Sequence, residues 1–122
     1  MSYVLNIKMN KQNRIKVGKL GTFTFKKGYY VYIGSAPSDA RIRRHLRKDK
    51  KKHWHIDYLL DHGTIVNIYV SNIPECKLAE RLNGKVVVKK FGSTDCKCDS
   101  HLKYFETNPK KLLSKLGKEW TR

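Results

Sequence analysis

A chain of 122 residues fits one domain with one ordinary core, because folding at this size buries about two-thirds of the unfolded surface. Lys and Arg number 27 against 10 Asp and Glu, a formal charge of +17, while 39% of residues are hydrophobic and 11% aromatic. That apolar share excludes a disordered basic tail, and the charge calls for a polyanionic partner, nucleic acid before membrane lipid.

Tyr3 to Met9 alternates β-formers with polar residues and runs into a turn at Asn10-Lys11-Gln12-Asn13, which predicts a first strand. Ile15, Val17, Phe23 and Phe25 keep the period of two around Gly18 and Gly21, the pattern of a short hairpin. Tyr29-Tyr30-Val31-Tyr32-Ile33 is aromatic or β-branched throughout and closes with Gly34-Ser35-Ala36-Pro37, which predicts a central strand. Ser38 can cap a basic helix over Asp39 to Arg47, with Ile42 and Leu46 inward. A second helix is expected from Trp54 to His62, ending at Gly63, and a strand from Thr64 to Val70. Asn72 and Pro74 open a third helix that runs through Leu82 to Gly84. Val86 to Val88 reads as a short strand, 91–101 as a loop, and Leu102 to Phe105 as an edge strand. Asn108-Pro109 begins a last amphipathic helix, at about 109–120, with Leu112, Leu113, Leu116 and Trp120 on one stripe.

No apolar run approaches the roughly 20 residues of a membrane span. The start of the chain lacks a secretory signal and the three cysteines are an odd number, so the expectation is a cytoplasmic protein with reduced thiols and no membrane partner.

The positive charge is concentrated. No acid precedes Asp39, and 41–52 holds Arg41, Arg43, Arg44, Arg47, Lys48, Lys50, Lys51 and Lys52 against Asp49 alone. Arg41 and His45 stand four apart on the basic helix, on one face that either holds a phosphate or is simply solvated. Glu75 begins the inward stripe of Leu78, Ala79 and Leu82, and a carboxylate there needs a basic side chain or a divalent cation such as Mg²⁺ as partner. Cys96, Cys98 and His101, with Cys76 as a fourth ligand, offer zinc donors. The one-residue gap between two of the cysteines is tighter than zinc sites favour, and buried reduced thiols are the alternative. His53 and His55 are two apart and so face different ways on a helix.

Taken together, Tyr32-Ile33-Gly34-Ser35, Arg41 with His45, and the helix carrying Glu75, Leu78 and Ala79 resemble the GIY-YIG nuclease superfamily. His53-Trp54-His55-Ile56-Asp57-Tyr58-Leu59, Glu75-Cys76-Lys77-Leu78-Ala79 and Asp95-Cys96-Lys97-Cys98-Asp99-Ser100-His101-Leu102 resemble its small stand-alone branch, catalogued as a domain of unknown function. The resemblance covers Tyr3 to about Phe105. It implies a single α+β domain over 1–122, with a central three-stranded antiparallel sheet flanked by helices. It also implies a metal-dependent endonuclease that hydrolyses phosphodiester bonds, on DNA ahead of RNA, in repair or processing, with a repair-complex partner. Tyr3, Tyr32, Arg41, His45 and Glu75 are the implied catalytic residues, with Mg²⁺ or Mn²⁺ on Glu75. Tyr3 stands for the first family tyrosine, because Tyr30 in the literal match Gly28-Tyr29-Tyr30 shares a strand with Tyr32. Gln12 to Lys27 is then an insertion. Arg43, Arg44, Arg47, Lys48, Lys50, Lys51 and Lys52 are the expected nucleic-acid contacts. A cation within about 4–6 Å lowers an acid's pKa by roughly 1–3 units, so Tyr3 or Tyr32 beside Arg41, lysines and a bound metal is expected to reach useful basicity near neutrality. The alternative is a non-catalytic nucleic-acid-binding module on the same fold, stabilised by zinc.

Overall fold

The first strand, β1 (Ser2–Met9), is buried at every residue except Lys8, so both of its faces need cover. Tyr3, Leu5, Ile7 and Met9 enter one apolar cluster while Val4 enters a second, as a period of two requires. The computed structural model describes residues 1–93 and 98–121. After β1 come β2 (Asn13–Val17), β3 (Gly21–Phe25), β4 (Gly28–Ser35), α1 (Ala40–Leu46), α2 (His55–Leu60), β5 (Thr64–Ser71), α3 (Glu75–Arg81), β6 (Leu102–Phe105), α4 (Lys110–Leu116) and β7 (Lys118–Glu119).

β1 pairs antiparallel with β4 from Ser2 opposite Ser35 to Met9 opposite Gly28, and on its other side with β5. β6 adds to β4, placing Leu102 opposite Tyr32, and β7 adds to β5 at Tyr69 and Val70. The main sheet therefore has five antiparallel strands in the order β6-β4-β1-β5-β7, which corrects the expected three-stranded sheet. The physical reason lies at the edges: β4 and β5 each present an outer row of backbone donors and acceptors, and a late segment of the chain satisfies part of each row.

Helices cover both faces. Ile42 of α1 and Ile56 and Leu59 of α2 join the Tyr3–Met9 cluster, together with Ile15, Val17 and Phe25 of the β2/β3 ribbon. Leu78, Ala79 and Leu82 from α3 and its end, and Leu113 of α4, pack on the opposite face around Val4, Val31 and Ile33. The ribbon is a separate two-stranded sheet whose reversal uses positive φ at Gly18 (49°) and Gly21 (129°), conformations open to glycine.

Two expected elements differ. Residues 86–88 form no strand; Lys85 alone bridges to Tyr104, through hydrogen bonds of 2.9 and 2.8 Å. The last helix stops at Leu116 rather than about 120, because Gly117 runs so close to β5 that a Cβ there would lie 2.5 Å from the Val70 carbonyl oxygen. Trp120 consequently leaves the helical stripe. Its N–H donates to the Ile68 carbonyl at 2.8 Å and its ring packs against the first cluster.

The start of α2 rests on a buried acid. Asp57 is 1% exposed. It takes two 2.9 Å bonds from Arg44, and its Oδ2 accepts the backbone N–H groups of His53 at 2.8 Å and Trp54 at 2.9 Å. Burial by itself raises this carboxyl, but Arg44 and the two N–H donors outweigh it and bring the pKa from 3.8 to about 2. A depressed carboxyl stabilises the fold above its unfolded pKa, and that stabilisation is lost as pH falls through the folded value. Asp57→Asn is expected to lower unfolding free energy by about 3 kcal/mol at neutral pH, because Arg44 is left half-buried without its charge partner. The variant should also lose the part of the wild-type acid transition that lies between pH 3.8 and about 2. Equal stability of the two proteins in denaturant titrations at neutral and at acid pH contradicts this account.

Candidate functional site

At the Tyr3 end of the sheet, a cleft of about 450 Å³ is lined by Tyr3, Tyr32, Gly34, Ser35, Arg41, His53, Trp54, His55, Glu75, Gly92 and His101. The strand pairing explains the two phenols. Tyr3 lies opposite Gly34 and Tyr32 opposite Leu5, so both side chains leave the same face, with ring centroids 6.5 Å apart. A Cβ at Gly34 would collide with the Tyr3 ring, and one at Gly92 would come within 2.8 Å of Tyr32 Cε1; the two glycines make room for the two rings. Tyr30 turns elsewhere, donating its hydroxyl to the Lys26 carbonyl at 2.7 Å.

Arg41 reaches the cleft from α1. Its guanidinium donates to the Ser35 carbonyl and stacks 5.0 Å from the Trp54 ring centroid. Glu75 arrives from the other layer: α3 buries Leu78 and Ala79 behind the sheet, and Glu75, its first residue, lines the cleft. His45, by contrast, stands behind Tyr3. Its Nε2 is 2.7 Å from the Tyr3 hydroxyl, it is 2% exposed, and its Nδ1 has no hydrogen-bond partner among the described residues.

Burial decides the electrostatics. It holds the Tyr3 phenol well above its ordinary value, and Arg41 pulls the other way without prevailing. Tyr32 is likewise pushed up by burial. Arg41 by itself therefore does not acidify these phenols: desolvation of a phenolate in this packed corner exceeds the attraction of a half-exposed guanidinium. His45 moves from 6.5 to about 4, chiefly through burial and then against the opposing pull of Asp57, so its ring is neutral at physiological pH. His101 is lowered by burial and partly restored by Glu75 and a hydrogen bond with the Gly92 backbone.

Beside the cleft, Cys76, Cys98 and His101 gather their donor atoms within 4.8 Å of one another, a set that can hold a metal ion. Cys96 lies outside the described residues. Cys76 and Cys98 are joined in a disulfide, which corrects the expectation of reduced thiols: the fold brings the start of α3 against the approach to β6, with the two Cα atoms 6.1 Å apart, inside the range a disulfide spans. His101 contacts both chemistries, with Nε2 4.0 Å from Cys76 Sγ and Nδ1 3.9 Å from Glu75 Oε2.

The family described as domain of unknown function DUF123 matches residues 2–122. The chain belongs to that family. No curated protein and no solved structure matches it.

In this DUF123 domain the basic residues divide by what they touch. Arg44 is committed to Asp57 and stacks 4.4 Å from the Trp54 centroid. Arg43 pairs with Asp39 at 3.2 Å and lies over Trp120. Lys50 donates to the carbonyls of His45 and Arg47, and Lys52 pairs with Asp61 at 2.8 Å. Arg47, Lys48 and Lys51 are exposed. Among the described residues, no helix is long and apolar enough to cross a membrane. Sequence reasoning passed over His53, Trp54 and His55 as cleft residues. They enter it because they stand at the very start of α2, with Trp54 its N-cap and His55 its first residue, and His55 Nδ1 accepts the Gly92 N–H at 2.9 Å. The signal that could have found them is Asp57 three residues after Trp54, the position from which a carboxylate folds back on a helix start.

A histidine kept neutral by burial stabilises the fold above its unfolded pKa, and this is lost as pH falls towards the folded value. The His45 ring resonances are expected to stay untitrated through the neutral range and to move with a midpoint near 4. Global stability should decline between 6.5 and about 4, with His55 and His101 adding to the fall. A His45 midpoint at or above 6.5 in an NMR titration overturns the assignment.

Proposed function

We propose that the cleft is the active site of a divalent-metal endonuclease that hydrolyses phosphodiester bonds in DNA, ahead of RNA, in keeping with the resemblance to GIY-YIG nucleases. One observation carries this reading: Tyr3, Tyr32, Arg41 and Glu75, supplied by β1, β4, α1 and α3, line a single cleft. Glu75 is a hard oxygen donor, and its side chain is 33% exposed in a space large enough for the waters that Mg²⁺ retains, so the donor set fits magnesium or manganese. Glu75 would hold the ion, and the ion when bound supplies Lewis-acid polarisation of the phosphate. The Cys76, Cys98 and His101 set is softer and suits zinc instead.

The chain's own groups have distinct tasks on this reading. Ser35 and Trp54 fix the Arg41 guanidinium, whose remaining N–H groups meet the scissile phosphate and its developing charge. Both phenols stay protonated at neutral pH, so neither is a free phenolate base. Tyr3 serves as a relay: its oxygen takes a proton from the attacking water as its own proton passes to neutral His45 Nε2, which leaves imidazolium behind the cleft. Tyr32 orients the water. Arg47, Lys48 and Lys51 hold backbone phosphates outside the cleft, and one small domain leaves base reading or a repair role to a partner. A second reading, a nucleic-acid-binding module without turnover, draws on the upward shift of both phenols.

Plasmid and branched DNA incubated with Mg²⁺ or Mn²⁺ should be cut by the wild type, and cutting should stop with chelator and with Glu75→Ala while binding persists. Arg41→Ala is expected to slow cleavage about 10²–10³-fold with a smaller effect on affinity. Neutralising Arg47, Lys48 and Lys51 should weaken binding and flatten the plot of log affinity against log salt by about 0.9 for each phosphate that is no longer neutralised. Tight binding with no cleavage under either metal favours the second reading and ends the first.

A further inference from the structure

We propose that the hollow between β6 and the 85–87 segment is a nucleobase pocket, in which an unstacked base of a single-stranded stretch lies on Tyr104 while its flanking phosphates meet Lys26 and Lys85. The space is about 340 Å³. That is near the small end of ligand sites, roughly 300–1,000 Å³, and suits one planar ring system rather than an extended ligand. Its walls are the half-buried Tyr104, Val86 and Val87, with the buried Tyr30 at their back. The two phenol rings have centroids 5.0 Å apart and planes tilted by 53°. Both hydroxyls are already committed: Tyr30 donates to the Lys26 carbonyl and Tyr104 to the Lys27 carbonyl, each at 2.7 Å. Tyr104 is held further by its backbone bridge to Lys85 and by Gly28, where a Cβ would stand 2.7 Å from the ring. The pocket therefore offers an aromatic ring fixed before any ligand arrives, and such a ring takes a base by stacking, whatever its sequence.

The occupant follows from charge. Lys26 and Lys85 stand exposed on the rim, which complements an anionic strand rather than a neutral aromatic ligand. Thr24, also on the rim, leads onto the outer face of the β2/β3 ribbon, where exposed Arg14 and Lys16 lie opposite Thr24 and Thr22. No acid occurs from 10 to 27. Glu106 is the one acid lining the pocket; it disfavours a bare phosphate inside and can accept the exocyclic amino group of a base. Tyr30 and Tyr32 leave the same face of β4, separated by about 7 Å of strand, the first behind this pocket and the second in the cleft. One strand can thus engage both spaces. The inference rests on the proposed nucleic-acid partner and not on turnover.

The test uses the full chain with chelator present, so that binding is read without cleavage. A labelled DNA strand of about ten nucleotides, within the span of small single-strand sites, should bind in an anisotropy titration. The same strand built of abasic residues carries equal charge and should bind more weakly. In NMR spectra the Tyr104 ring protons and the Val86 and Val87 methyl groups should move with the normal strand and stay in place with the abasic one. Tyr104→Leu is expected to weaken binding of the normal strand about 5–150-fold and to remove the preference over the abasic strand, whereas Tyr104→Phe keeps both. Lys26→Ser together with Lys85→Ser should instead flatten the plot of log affinity against log salt by about 0.7 for each phosphate no longer neutralised. A wild type that binds the two strands equally, or binds neither, overturns the pocket, as does binding that leaves the Tyr104, Val86 and Val87 resonances unmoved. Deoxyadenosine monophosphate binding as tightly as the strand overturns the strand as occupant. Strand binding of the expected kind by a protein that cuts no DNA upholds the pocket and ends the nuclease reading alone.

Discussion

The pairing of β1 with strands on both sides is the constraint from which the site follows. A strand buried on both faces cannot slip by one residue without turning Tyr3, Leu5, Ile7 and Met9 to the wrong layer. Its register against β4 places Tyr3 across from Gly34, where the missing side chain lets one ring lie over the neighbouring strand. Tyr32 follows on the same face two positions away. The chain then turns at 36–39 into α1, so Arg41 is delivered within reach of the strand end it has just left, and its bond to Ser35 records how short that turn is.

The second layer of control is electrostatic and centres on Trp54. Arg41 and Arg44 both stack on its ring, and Arg44 is held in place by Asp57, which also fixes the backbone of His53 and Trp54. One buried carboxylate thus shapes the α2 start, neutralises a guanidinium and supports the aromatic surface under another. The remaining positive charge is less uniform than the +17 total implies. Arg44 and Lys50 are engaged within the fold and Lys52 is paired with Asp61 at the surface, whereas Arg47, Lys48 and Lys51 leave their charge exposed for a polyanion.

Much of the fold was legible because burial writes itself into periodicity. The alternation of β1, the aromatic run of β4 and the stripe of Leu78, Ala79 and Leu82 all appear as elements in the expected places. What periodicity cannot show is pairing at an edge. Lys118 and Glu119 look helical by extension of the Leu112–Leu116 stripe, yet they add to β5 because Gly117 must pass close to Val70. The cleft was half legible. Residue type and order marked Tyr3, Tyr32, Arg41 and Glu75, but not the upward push that burial gives both phenols, because charge counts are visible in a sequence and desolvation is not. His53, Trp54 and His55 were invisible for a similar reason: their role comes from the loop that Asp57 folds.

Glu75 and Cys76 are neighbours in sequence that open on separate spaces. Neighbours on a helix diverge by about 100°, so the carboxylate lines the cleft while the thiol side meets the hollow behind it. Oxygen donors in a wet cleft favour a hard, hydrated ion, and sulfur with imidazole favours a soft one. His101 is the group that touches both, buried between the two spaces. Its ring lies 4.0 Å from the Cys76 sulfur and 3.9 Å from the Glu75 carboxylate, so one buried side chain separates the two spaces.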